Sequence, residues 1–156
     1  MKIYLLDLGS LVIDRSDVLW HIDVGTPVRF PVYGVYIDHP GGTFILDTGY
    51  DLEHVEGVLA FELAEQTPEL TLPEQLKLCG TSPAEIDYYI NSHFHFDHVG
   101  GNKHLTESTL ITSKFEPRSL LVPEPFERLG YSDVAWYKRG ETKVKFVEGD
   151  YRLAEG

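Results

Sequence analysis

His93-Phe94-His95-Phe96-Asp97-His98, running on into Val99-Gly100-Gly101-Asn102, is the stretch on which the reading of this chain turns. Side chains two apart on an extended backbone point the same way. On leaving a buried strand over Ile86–Asn91, His93, His95 and Asp97 are therefore expected to project to one side, with Phe94 and Phe96 on the other. Two imidazoles at that spacing chelate one metal ion. Neutral imidazole together with carboxylate suits zinc, iron or manganese better than calcium or magnesium. His98 begins a turn through Gly100-Gly101, where the backbone can fold closely against the site.

Upstream of this cluster the pattern is that of antiparallel β-structure. Lys2–Asp7 and Leu11–Asp14 read as two strands separated by Gly9-Ser10. Val32–Asp38 and Thr43–Asp47, joined by His39-Pro40-Gly41-Gly42, read as a hairpin. The period then lengthens. Glu53–Phe61 fits a helix with Val55, Val58 and Leu59 on one face. Thr71-Leu72-Pro73-Glu74 and Ser82-Pro83-Ala84-Glu85 fit capping boxes with proline in the first turn, and Gly80 stops the first of these helices. Downstream, Leu110–Thr112 and Val144–Val147 read as strands and Ser113–Leu120 as a short helix. Strands first and alternating strands and helices later predict an α/β sheet covered by helices on one face.

The 156 residues predict a single domain, 1–156. Thirteen basic against 25 acidic residues leave a net charge of −12. That balance argues against nucleic acid, whose binding rests on clustered Lys and Arg. No apolar run approaches the roughly 20 residues of a membrane span. The lone Cys79 offers no disulfide or zinc-ribbon pair. A cytoplasmic location without membrane association is the expectation.

Ser92 to Asn102 resembles the metal-binding signature of the metallo-β-lactamase superfamily, and Thr43-Phe44-Ile45-Leu46-Asp47-Thr48-Gly49 resembles that superfamily's earlier strand. The form is most similar to the lactonase branch. Arg29–Tyr33, Asp47–Asp51 and Pro125–Asp133 are similar to the lactonases that open 4-pyridoxolactone in vitamin B6 breakdown. The resemblance implies an αβ/βα sandwich of which this chain supplies the N-terminal half, with two zinc ions at one edge (iron or manganese being possible). It assigns His93 and His95 to the first ion, Asp97 and His98 to the second, and a supporting position beside them to Asp47. A hydroxide on the metals would open the lactone, and Asp97 would carry a proton to the departing alkoxide. The expected substrate is 4-pyridoxolactone, with N-acyl homoserine lactones as the alternative.

The resemblance also implies a third histidine, a bridging aspartate and a final histidine, yet no histidine follows His104. The domain therefore reads as truncated at its C-terminus, with two protein ligands per ion where catalytic zinc usually has three or more. Alone, it is expected to bind zinc weakly and to open no lactone at a useful rate. Its partners would be a small lactone and either a separate C-terminal half or a second copy of the chain. A fragment that only binds metal is the non-catalytic reading. Arg29 and Arg128 read as surface ion-pair residues, and His104 as a surface position.

Overall fold

The computed structural model describes residues 1–155. Its centre is one six-stranded sheet whose strands lie side by side in chain order, β1 (Lys2–Asp14), β2 (Pro27–His39), β3 (Gly42–Leu46), β4 (Tyr88–Ile90), β5 (Thr109–Ser113) and β6 (Lys143–Val147). The first three pair antiparallel and the last three add on in parallel. Short helices fill the connections: α1 (Arg15–Val18), α2 (Leu52–Val58), α3 (Leu72–Leu78), α4 (Phe96–Val99) and α5 (Glu116–Leu121).

The core lies between one face of the sheet and these helices. Ile45, Tyr89 and Leu110 are register neighbours on adjacent strands, and all three are fully buried. Leu6 and Leu8 of β1 join them from the edge, and Val55, Leu72 and Leu76 close over them from α2 and α3. The opposite face stays apolar but open. Leu5, Val35 and Leu46 form one cross-strand row, and Leu5 is 71% and Leu46 39% exposed. A patch of this kind is uncommon on a lone soluble domain.

The expected mixed sheet with helices on one face is present, with four local corrections. The two N-terminal strands are one strand, β1, whose pairing slips between Asp7 and Ser10 around Gly9 at a φ of +102°. That is a bulge rather than a break. The helix expected over Glu53–Phe61 ends at Val58 and continues as a 3-10 turn over Ala60–Glu62. Neither capping box forms its side-chain bond to a backbone N–H: the Thr71 hydroxyl donates to the Pro68 carbonyl at 2.8 Å and the Ser82 hydroxyl to the Glu85 carboxylate at 2.9 Å, and the second leads only into the 3-10 turn Pro83–Glu85. Finally, Asp97 stands in α4 rather than on an extended segment, and the turn expected from His98 starts earlier, at Phe96.

Candidate metal centre

The histidine loop leaves the C-terminal end of β4 and is clamped from below by a buried polar network. Asn102 donates to the Asn91 side chain at 2.9 Å and to the Ala135 carbonyl at 3.1 Å, and accepts from the Thr48 hydroxyl at 2.9 Å. The His98 carbonyl takes bonds from the Thr48 N–H at 2.9 Å and the Asn91 amide at 3.0 Å. These groups are almost wholly buried, so every partner matters. Phe94 and Phe96 turn into the core while the histidines turn away from it.

Above that base four side chains gather. The His93 ring lies 4.5 Å from that of His95 and 4.1 Å from that of His98, centre to centre. His98 is gripped at both nitrogens: Nδ1 lies 2.8 Å from Asp47 Oδ2 and Nε2 3.3 Å from Asp97 Oδ2. Asp47 also accepts from the Ser92 N–H at 2.8 Å and the Ser92 hydroxyl at 2.7 Å. It does so from a left-handed backbone, φ +57°, that aspartate tolerates better than bulkier residues. Asp47 therefore orients the His98 ring, as a carboxylate behind a metal-binding histidine does. Of the residues singled out in the sequence, His93, His95, Asp97, His98 and Asp47 are all brought together here.

The electrostatics divide the cluster. Burial, then the charges of His98 and His95, pull His93 down to about 4, and burial holds His95 below its ordinary value. Both rings are thus neutral donors near pH 7. For His98 burial opposes the charged form, but the bonds to Asp47 and Asp97 outweigh it and lift the ring to about 10. Burial acts on Asp97 in the opposite sense to His98's hydrogen bond and charge, which win and keep its carboxyl below the ordinary range.

Do these residues fit an ion? The Nε2 of His95 is buried with no hydrogen-bond partner among the described residues, a costly state that a coordination bond would relieve. The donor types, imidazole and carboxylate, are those of zinc, iron and manganese sites. Among the described residues no three such side chains converge tightly enough to hold an ion by themselves. The set is suited in chemistry and open in geometry.

Several supporting groups carry no local pattern that ties them to the histidines, although Gly130 and Tyr131 lie in the Pro125–Asp133 stretch noted for its resemblance. Gly130 packs against the His95 ring, where an added Cβ would stand 3.1 Å from it, and Tyr131 lies edge-on to that ring at 4.5 Å. The Phe96 N–H is held by the Gly130 carbonyl, and the Phe94 N–H by Glu116. These contacts span more than twenty residues of chain, beyond any local pattern. Arg29 does pair with Glu65 at 2.9 Å, as a surface ion pair. His104 is exposed in the 3-10 turn after Gly101, outside the cluster.

Beside the cluster a cleft of about 400 Å³ runs between β1, β2 and α4, with Asp47, Asp97 and His98 among its lining residues and Glu62 on its wall. Burial first, then the charges of Asp97 and Asp17, push the Glu62 carboxyl up to about 7 from 4.5. A carboxyl raised on folding contributes its full stability below the unfolded value and loses it as pH climbs through the folded one. Glu62→Gln should therefore change stability little at about pH 4 and raise it at about pH 8, by about 1 kcal/mol after allowance for solvent screening. Urea titrations at the two pH values check this, and equal stability of both proteins at the higher pH would refute it.

The chain belongs to the metallo-beta-lactamase superfamily, whose sequence profile matches residues 27–145. Its curated relatives include N-acyl homoserine lactonases. The N-acyl homoserine lactonase of Bacillus cereus is 28% identical over 163 residues, spanning 99% of this chain and 62% of that protein. The N-acyl homoserine lactonase of Rhizobium radiobacter is 26% identical, over 96% of this chain and 59% of its own length. Among solved structures, an N-acyl homoserine lactone hydrolase with the product N-hexanoyl-L-homoserine bound at its catalytic metal centre superposes with a TM-score of 0.84. It is 28% identical, over 99% of this chain and 62% of that one. A probable metal-dependent hydrolase from Staphylococcus aureus, 17% identical with a TM-score of 0.76, shares the fold. The chain thus spans about three fifths of the length of these relatives. Among the described residues no helix is long and apolar enough to cross a membrane.

Proposed function

We propose that this chain carries the metal-binding portion of a zinc-dependent lactonase that acts on N-acyl homoserine lactones. The observation that carries the reading is the gathering of His93, His95, Asp97 and His98 around one loop, with Asp47 fixing His98 from behind. Relatives named as N-acyl homoserine lactonases support this substrate over the 4-pyridoxolactone expected from the sequence.

In this reading His93 and His95 hold one ion, and Asp97 and His98 a second. Ions held there supply Lewis acidity toward the lactone carbonyl and an ionised water near neutral pH. The chain's own residues do the rest. His93 and His95 present neutral nitrogens without first having to lose a proton. Asp47 keeps the His98 ring turned toward Asp97. Asp97, a carboxylate at neutral pH, can take a proton given up by the attacking water and pass it to the ring oxygen that leaves as the ester bond breaks. No covalent bond to the chain is required.

Four donors shared by two ions leave each with two, short of the three or more of a catalytic zinc site. We therefore also propose that further ligands come from polypeptide outside residues 1–156, seated on the open sheet face that carries Leu5 and Leu46, either in the same chain or as a separate half.

Assays with N-hexanoyl-L-homoserine lactone and 4-pyridoxolactone, on residues 1–156 alone and mixed with a candidate C-terminal half, test the reading. Turnover is expected only in the mixture and faster on the acyl homoserine lactone. A preference for 4-pyridoxolactone would reverse the substrate order, and brisk turnover by residues 1–156 alone would overturn the need for further ligands. Asp47→Asn, which keeps the left-handed backbone accessible, is expected to weaken zinc binding roughly 10-fold or more by loosening His98. Competition against a chromophoric chelator measures it, and an unchanged affinity would remove Asp47 from the site.

A further inference from the structure

Glu62 closes the 3-10 turn after α2 and lines the same cleft as Asp97 and His98. The rest of that wall is apolar around it, with Leu11, Phe30, Val32 and Leu46 contributing. Its Oε2 is covered, and no donor among the described residues comes within hydrogen-bond reach. An unmatched carboxyl oxygen of this kind is costly to leave without a donor. The terminal torsion of a glutamate has only shallow preferences, so the carboxyl group can turn to present an oxygen to the cleft that Glu62 lines. The polar groups Asp47, Asp97 and His98 at the other end are already engaged with one another. A molecule whose carbonyl sits at that end therefore meets greasy walls interrupted by one unused acceptor.

We propose that Glu62 is a specificity-determining residue, which takes a hydrogen bond from the N–H of an acylamino group attached to the lactone ring while the acyl carbons lie against Leu11, Phe30 and Val32. The proposal rests on the lactonase reading above and sharpens it. A carboxyl acceptor and an amide N–H form a charge-assisted bond. An ester oxygen in place of that N–H has no proton to give and turns its own lone pairs toward Glu62. Sites built around such a bond reject the analogue lacking it far more strongly than apolar walls reject a missing methylene.

The test uses binding, not turnover. The zinc-loaded chain is titrated calorimetrically with N-hexanoyl-L-homoserine lactone and with its ester isostere, in which oxygen replaces the amide N–H. The amide is expected to bind at least about tenfold more tightly. Glu62→Leu should bring the ratio close to one, while Glu62→Gln, which retains an acceptor, should keep most of it. Equal affinities in the unmodified chain, or the same ratio after Glu62→Leu, would overturn the role of Glu62 and leave the lactonase reading standing. Failure of both lactones to bind even with the candidate C-terminal half added would overturn the lactonase reading itself, and Glu62's role with it.

Discussion

Gly100→Ala should cost the chain about 3 kcal/mol or more, enough to lower its melting temperature by roughly 10 °C. A Cβ at this position would stand 2.0 Å from the Asp51 backbone nitrogen and 2.1 Å from the Tyr50 carbonyl carbon. Both are main-chain atoms of the loop after β3, which cannot swing aside as a side chain can. Gly100 also donates its N–H to the Gly49 carbonyl at 2.7 Å, so forcing the two loops apart breaks that bond too. Gly57 is the matched control. It lies within α2, and a methyl group added there would have nothing within 4 Å. Gly57→Ala should stabilise by up to about 1 kcal/mol through helix propensity alone. Thermal unfolding of the two variants side by side decides the matter: a Gly100→Ala protein as stable as the unmodified chain would mean that the loops do not meet as described.

His95→Ala should lower zinc affinity by more than about 100-fold, because in the proposed assignment it removes a direct donor rather than a supporting group. The metal-free protein should suffer less. The substitution loses the edge contact with Tyr131 but also takes away a buried nitrogen that had no partner among the described residues. That contrast separates ligation from packing: affinity collapses while the melting temperature without metal moves only modestly. His104→Ala, exposed and outside the cluster, should change neither quantity. Chelator competition and melting curves on the three proteins give the comparison. Zinc affinity untouched by His95→Ala would sink the assignment of this loop as a metal centre.

The order of strands could be read from the chain because alternation and turn residues act locally. The hairpin across Gly41-Gly42 and the strand ahead of the histidines are of this kind. The histidine cluster was legible for the same reason, since its donors lie within six residues. What the sequence concealed is the contact of that loop with distant segments. Gly130 and Tyr131 seat His95, Glu116 holds the Phe94 N–H, and Ala135 accepts from Asn102. None of these has a periodic signature. Nor did alternation predict that Asp97 would stand on a helical turn, whose first N–H, that of Phe96, is taken by the Gly130 carbonyl. Glu62 was invisible too, as an ordinary acidic residue whose surroundings come from β1, β2 and α4.

The strands of the sheet lie side by side in the order in which the chain is made. No strand has to be threaded between two that have already paired. As the polypeptide leaves the ribosome, each new strand meets a free edge formed by its predecessor, and domains built in this way can acquire structure from the N-terminus onward during synthesis. The β1–β3 meander needs only its own residues. The histidine loop, by contrast, gains its floor when Asn102 emerges and its roof only when Tyr131 does.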